Sequence, residues 1–261
     1  MLEVIAKGSA TEAHPVPMLF VHGGWHGEWC WDEHFLDFFS DRGFRAAAVS
    51  LRGHGKSAMP KALNACSIRD YVEDVRTAAD GLSGSPVIVG HSMGGYVVQK
   101  YLESEKAPAG VLMASAPPQG STSASLRMMR RHPWAVLKTN TFGETHDVVR
   151  TPRLARAHLF CRHTPQNIVD SCTTRLQPES ALAMKQMMSR RRIRPELVST
   201  PLLVLGGAED GAFTRGEVAA TASAYHTDAV FIPNMGHNMM LELGWRAVAE
   251  RIDGWLTGRG L

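Results

Sequence analysis

The chain has 261 residues, 44% hydrophobic and 20% charged, the composition of an ordinary soluble domain of the larger kind. No run approaches the ~18 consecutive apolar residues of a membrane-spanning helix, and the start, MLEVIAKGSATEAHPVP, lacks the pattern of a secretion signal. Cys30, Cys66, Cys161 and Cys172 form no CxxC pair and no regular spacing, so free thiols in a cytoplasmic protein are expected. The net charge of +3 conceals an asymmetry: residues 118–197 hold 14 Lys/Arg against 5 Asp/Glu, a net of +9, and the remainder carries −6.

In chain order, short apolar runs each end in turn residues. Met18–Val21 meets HGG, Ala46–Val49 meets SLRGHGKS, and Val87–Val89 meets Gly90. Val111–Met113 meets ASAPP, Leu202–Leu205 meets GGAEDG, and Val230–Ile232 meets PNMGH. Continuous runs, unlike alternating ones, predict strands covered on both faces. Helical patterns lie between them. Ser67 is a fitting N-cap for a helix with Ile68, Tyr71, Val72 and Val75 on one face. A helix after Ser92 gathers Tyr96, Val97 and Tyr101, and a last one over about 243–256 turns Trp245, Val248, Ile252 and Trp255 inward. Strand and helix in alternation predict an α/β fold with a mostly parallel, doubly wound sheet flanked by helices. The alternation breaks once. The basic segment has helical patterns, including a start at Thr164-Pro165, and no strand candidate. The expected organisation is therefore a core of residues 1–117 and 198–261, with 118–197 as a helical lid inserted over the strand ends.

In such sheets ligands bind beyond the carboxyl ends of the strands. Gly90-His91-Ser92-Met93-Gly94 fits G-x-S-x-G between a predicted strand and a predicted helix, a turn that exposes a serine hydroxyl. A serine needs a base, and the base an orienting acid. Asp210 and His237 follow later strands in the order that this turn requires; Glu209 is the local competitor for the acid. The backbone N–H groups of Met93 and Gly24 are the expected oxyanion donors. His22 is expected to brace the Gly24 loop. Its i, i+4 spacing to His26 would suit zinc only on a helix, which the two glycines between them oppose, so neither metal nor cofactor is expected. RGHGKS resembles the end of a phosphate-binding loop, but Ser50 stands where that loop needs glycine, and a structural turn is expected.

Together, HGGW, LRGHGKS, GHSMGG, GGAED and MGHNMMLE resemble the α/β-hydrolase superfamily, in its order and over nearly the whole chain. The resemblance implies the α/β-hydrolase fold with its variable helical lid, and it implies an esterase. VHGGWHGEWCW looks like methylesterases and hydroxynitrile lyases; RGHGKS and GHSMGG look like bacterial esterases, lysophospholipase-like proteins and perhydrolases. The lyases carry threonine after the first histidine and lysine after the catalytic one. Gly23 and Asn238 stand there instead, which favours hydrolysis.

The expected activity is cleavage of carboxylic esters with an apolar or lipid-like part. Thioester, lactone and C–C bond hydrolysis, and perhydrolysis, use the same triad. Trp25, Met184 and Met188 are the expected substrate contacts; Met184, Met187 and Met188 have i, i+3, i+4 spacing, and Met128, Met129, Met239 and Met240 are further candidates. The basic segment's arginines, among them Arg127, Arg131, Arg190, Arg191 and Arg192, suit either a solvated exterior or recruitment of an anionic substrate or membrane surface. No nucleic-acid motif accompanies them. The expected partner is thus a small-molecule ester, with self-association left open.

Overall fold

The computed structural model describes residues 1–131, 133–134, 145–188 and 193–261. Its centre is a seven-stranded sheet: β1 (Val4–Lys7), β2 (Met18–Val21), β3 (Ala46–Val49), β4 (Val87–His91), β5 (Gly110–Met113), β6 (Leu202–Gly207) and β7 (Ala229–Ile232). The spatial order is β1-β3-β2-β4-β5-β6-β7. All neighbours are parallel except β1, which runs antiparallel to β3 with Val4 opposite Val49. The six predicted runs are β2 to β7. β1 is the strand that the apolar-run criterion misses. It lies at the sheet edge and is half exposed, so it carries no continuous apolar run.

Side chains alternate across the sheet and bury two cores. Met18, Phe20, Val87 and Val89 face one side, where they meet α1 (Trp29–Asp32), α2 (Phe35–Ser40) and the C-terminal helix α10 (Trp245–Thr257). Leu19, Val21 and Ile88 face the other, against α3 (Ile68–Asp80), α4 (Met93–Tyr101) and α9 (Arg215–Ala224). The predicted cap on α3 is present in full. Ser67 Oγ accepts from the Asp70 N–H at 3.3 Å, and the Asp70 carboxylate accepts the Ser67 N–H at 2.7 Å. In α10, Val248 and Ile252 are buried as expected, while Trp245 and Trp255 are half covered.

Between β5 and β6 the described residues form helices and loops and no strand: α5 (Thr122–Arg131), α6 (Pro152–Leu159), α7 (Gln166–Arg175) and α8 (Ala181–Met188). The Thr-Pro start operates one helix earlier than predicted. Thr151 caps α6 by accepting from the Leu154 N–H at 3.3 Å, with Pro152 in the first turn. At α7 the N-cap is Pro165, and Thr164 is diverted, its hydroxyl donating to Glu242 at 2.9 Å. Among the described residues no helix is long and apolar enough to cross a membrane.

Candidate active site

β4 delivers Ser92, buried along its length, and α4 begins one residue later. Ser92 has φ 52° and ψ −117°, a backbone that side-chain-bearing residues rarely adopt. Three hydrogen bonds hold it there. Its N–H donates to the Met113 carbonyl at 3.0 Å, and its own carbonyl accepts from Ala116 at 3.1 Å and Tyr96 at 3.2 Å. The flanking glycines answer to contact. A Cβ on Gly90 would lie 2.7 Å from the Gly94 carbonyl oxygen, and one on Gly94 would collide with the carbonyls of Val21 and His22.

Asp210 follows β6 and His237 follows β7, so both sit beyond strand ends like Ser92. Although 145 and 27 residues separate His237 from its partners, its Nε2 lies 2.8 Å from Ser92 Oγ and its Nδ1 2.9 Å from Asp210 Oδ2. The other carboxylate oxygen of Asp210 accepts the N–H groups of Ala212 at 2.7 Å and Phe213 at 3.0 Å. An ionised carboxylate only accepts, so the imidazole proton sits on Nδ1 and the Nε2 lone pair faces the serine hydroxyl. The histidine and aspartate side chains are almost wholly buried. Glu209, the competing acid, instead faces Arg162 at 3.8 Å.

The loop after β2 is clamped by two histidines. His22 Nε2 accepts the Leu51 N–H at 3.0 Å, which leaves its proton on Nδ1 to donate to the Gly23 carbonyl at 2.8 Å. His26 Nδ1 likewise donates to the Gly24 carbonyl at 2.7 Å, with Asn238 Nδ2 3.2 Å from its Nε2. In a trans peptide the carbonyl and the following N–H point in opposite directions. Holding the Gly23 carbonyl on His22 therefore aims the Gly24 N–H the other way. Neither that N–H nor the N–H of Met93 has a protein acceptor among the described residues. Burial is the main reason that His22 and His91 are held well below the ordinary imidazole range and that His26 is pushed down to about 4. These rings are neutral struts. His91 donates from Nε2 to the His237 carbonyl at 2.9 Å, bracing the loop that carries the base.

Ser92, Met93, Gly24 and His237 open on a cavity walled by Trp25, Met128, Leu159, Met184, Met187 and Phe213. Trp25 and Met184 are thus where the sequence placed them, but Met188 is not among the lining residues. Met187 takes its place, since it is buried with Ala183 on one face of α8 and lines the cavity beside Met184. The Met188 carbonyl instead accepts the Thr122 hydroxyl at 2.6 Å. Of the further methionines, Met129 is exposed, and Met239 and Met240 are buried in the core. Two polar groups beside the Gly24 loop were missed by sequence reasoning: His26, considered only as half of a zinc pair, and Glu179, whose carboxylate lies close to Gly24.

A serine at a strained strand-to-helix turn, hydrogen-bonded to a histidine and an aspartate from later strand ends, defines a nucleophile-elbow α/β protein. The sequence profile of the alpha/beta hydrolase family matches residues 18–251, and the chain belongs to that family. Its relatives include a bifunctional esterase/perhydrolase of Acinetobacter calcoaceticus, 37% identical over 109 residues, which are 39% of this chain and 38% of the relative. The chain therefore matches well under half the length of that relative. A pFDCC methylesterase of Arabidopsis thaliana is 26% identical over 220 residues, 79% of this chain and 81% of its own. Among solved structures, a thermophilic esterase from Thermogutta terrifontis superposes with a TM-score of 0.76 at 23% identity, over 100% of this chain and 94% of that one.

Proposed function

We propose that the protein is a serine hydrolase that cleaves carboxylic esters bearing an apolar group. The observation that carries this reading is the continuous path from Ser92 Oγ through His237 to Asp210 at the floor of an apolar cavity. Ser92 Oγ attacks the ester carbonyl carbon while His237 Nε2 takes the hydroxyl proton. Asp210 holds the resulting imidazolium. The tetrahedral oxyanion lies against the N–H groups of Gly24 and Met93, the latter in the first turn of α4, where backbone donors are unsatisfied. Collapse expels the alcohol, which leaves with the proton from His237. Water, deprotonated by the same nitrogen, then releases the acid and restores Ser92.

Residues 118–197 act as the lid in this reading, with Trp25, Met184 and Met187 contacting the apolar part of the substrate. The family membership and the names of the relatives support an ester bond as the target. The same relay serves thioesters, lactones, C–C bonds and peroxide as acyl acceptor, and one relative is itself an esterase/perhydrolase. The four cysteines are buried and unpaired, which fits a cytoplasmic setting.

The test is Ser92→Ala against p-nitrophenyl esters of graded chain length. Turnover should fall by about a millionfold with folding unchanged. A fluorophosphonate should label Ser92 in the parent and nothing in the variant. Near-parental turnover by Ser92→Ala would sink the reading.

A further inference from the structure

A second buried acid–base assembly lies beside the Gly24 loop and takes no part in the relay. Glu179 comes from the inserted segment just before α8, and His54 from the turn after β3; both side chains are fully buried. Glu179 Oε2 lies 3.2 Å from His54 Nε2, an ion-pair contact outside hydrogen-bond geometry, and neither atom has a hydrogen-bond partner among the described residues. Glu179 Oε1 accepts from the Tyr71 hydroxyl at 2.6 Å and from the Ser180 N–H at 2.6 Å. On the far side of the ring, His54 Nδ1 faces the Arg52 carbonyl at 3.3 Å.

These contacts fix the protons. A carbonyl can only accept, so His54 Nδ1 carries a proton. A bare Nε2 would then set its lone pair against a carboxylate. The charges are balanced with both ring nitrogens protonated, an imidazolium against an anion. Burial is the largest influence on each group and opposes both charges. The charge of Glu179 nevertheless raises His54 above the usual imidazole range, and the charge of His54, with hydrogen bonds from Tyr71 and Ser180, lowers Glu179 below the usual carboxylate range.

The pair sits where its charge matters. A Cβ placed on Gly24 would be only 3.7 Å from Glu179 Oε2. The same segment grips the loop directly: the Gln177 N–H donates to the Trp25 carbonyl at 2.8 Å, and Trp25 Nε1 donates to the Thr145 carbonyl at 3.1 Å. Thr145 in turn donates its hydroxyl to the Glu179 carbonyl at 2.6 Å. The other titratable and charged groups beside the pair are His22, His26 and Tyr71, with Arg52 next to His54 in the turn and Cys66 and Asp74 a further step away, around Tyr71 and Arg52. His22 and His26 are neutral, and Arg52 is bound by Asp74 and Asp70. Among the described residues, only His54 is left to balance Glu179.

We propose that His54 and Glu179 form a buried ion pair that fastens the inserted segment beneath the oxyanion loop and keeps that loop's surroundings electrically neutral, making His54 a positioning residue for the reaction. The proposal rests on the assignment of the Gly24 N–H as an oxyanion donor. An unbalanced carboxylate there would oppose the negative charge that develops on the substrate, in a setting with little water to screen it.

The experiment compares the parent, His54→Gln, Glu179→Gln and the double variant by kcat and KM against pH, with melting temperatures and fluorophosphonate labelling of Ser92. His54→Gln should lose at least ~10-fold in kcat, with little change in KM, along a falling limb as Glu179 ionises. The double variant should lack that limb and return to within ~3-fold of Glu179→Gln. A limb that persists in the double variant, or identical profiles for His54→Gln and the double variant, overturns the proposal. Should His54→Gln fail to fold, nitrogen NMR of His54 in the parent decides. A doubly protonated ring at about pH 7 supports the pair, and a neutral ring overturns it. Failure of the parent to label at Ser92 would overturn the hydrolase reading instead, while the NMR result would still judge the ion pair.

Discussion

At the scale of single residues, the relay depends on which nitrogen of His237 holds the proton. Asp210 enforces this by accepting from Nδ1, and the N–H groups of Ala212 and Phe213 hold its other oxygen in place. Asp210→Asn keeps the shape but offers an amide N–H toward Nδ1, which favours the wrong tautomer. We expect kcat to fall by about 10⁴ with KM and melting temperature nearly unchanged, measured by steady-state kinetics and thermal denaturation. A kcat within tenfold of the parent would refute this orienting role. Ser92, Asp210 and His237 were legible in the sequence because each follows a recognisable apolar run. His26, His91 and Glu179 were not. Their roles depend on which carbonyl or ring lies across a loop, and no spacing along the chain encodes that. Met188 was chosen over Met187 for a related reason. Helical spacing identifies a stripe, but the neighbour that covers the stripe decides its edge.

Among the elements, α3 shows how a local signal and a tertiary contact reinforce one another. Asp70 closes the capping box with Ser67 and also meets Lys61 at 2.7 Å and Arg52 at 3.2 Å. Partial burial raises its pKa, but hydrogen bonds from Lys61 and Ser67 outweigh this and hold it at about 2, against an ordinary 3.8. Because the folded value lies below the unfolded one, the stabilisation is complete above the ordinary value and drains away as the pH falls through about 2. Asp70→Asn should therefore cost roughly 1–2 kcal/mol at neutral pH. The gap in melting temperature between parent and variant should close in acid; a gap that stays constant down to that pH would count against the linkage. The cap was readable because it lies within four residues. β1 was not, since an edge strand paired on one side needs no apolar run. The start of α7 was misplaced because Thr164 finds a better partner in Glu242, 78 residues away.

Over the whole molecule, part of the charge asymmetry seen in the composition is met by ion pairs within the protein. Four arginines of the basic segment meet acids of the remainder: Arg127 with Glu217, Arg162 with Glu209, Arg175 with Glu33 and Arg194 with Glu103. Arg190, Arg191 and Arg192 lie outside the described residues. Exposed pairs contribute little individually and are screened by salt. Their common effect is to hold the segment against the body. Raising the salt from ~0.01 M to ~1 M should accelerate tryptic cleavage within residues 118–197 severalfold, with cleavage elsewhere little changed, as mapped by mass spectrometry. Uniform acceleration along the chain would show that these pairs do not hold the segment specifically.

The backbone of Ser92 has a thermodynamic consequence. Its left-handed conformation sets about 1–3 kcal/mol against the folded state, and that cost is carried by the peptide whatever side chain is attached. Ser92→Ala removes the nucleophile and keeps the cost; Ser92→Gly removes both, less the entropy that glycine adds to the unfolded chain. The glycine variant should melt above the alanine variant, and both should be inactive. Folding and reactivity thus make opposing demands on one residue, and selection for stability alone would replace Ser92 with glycine.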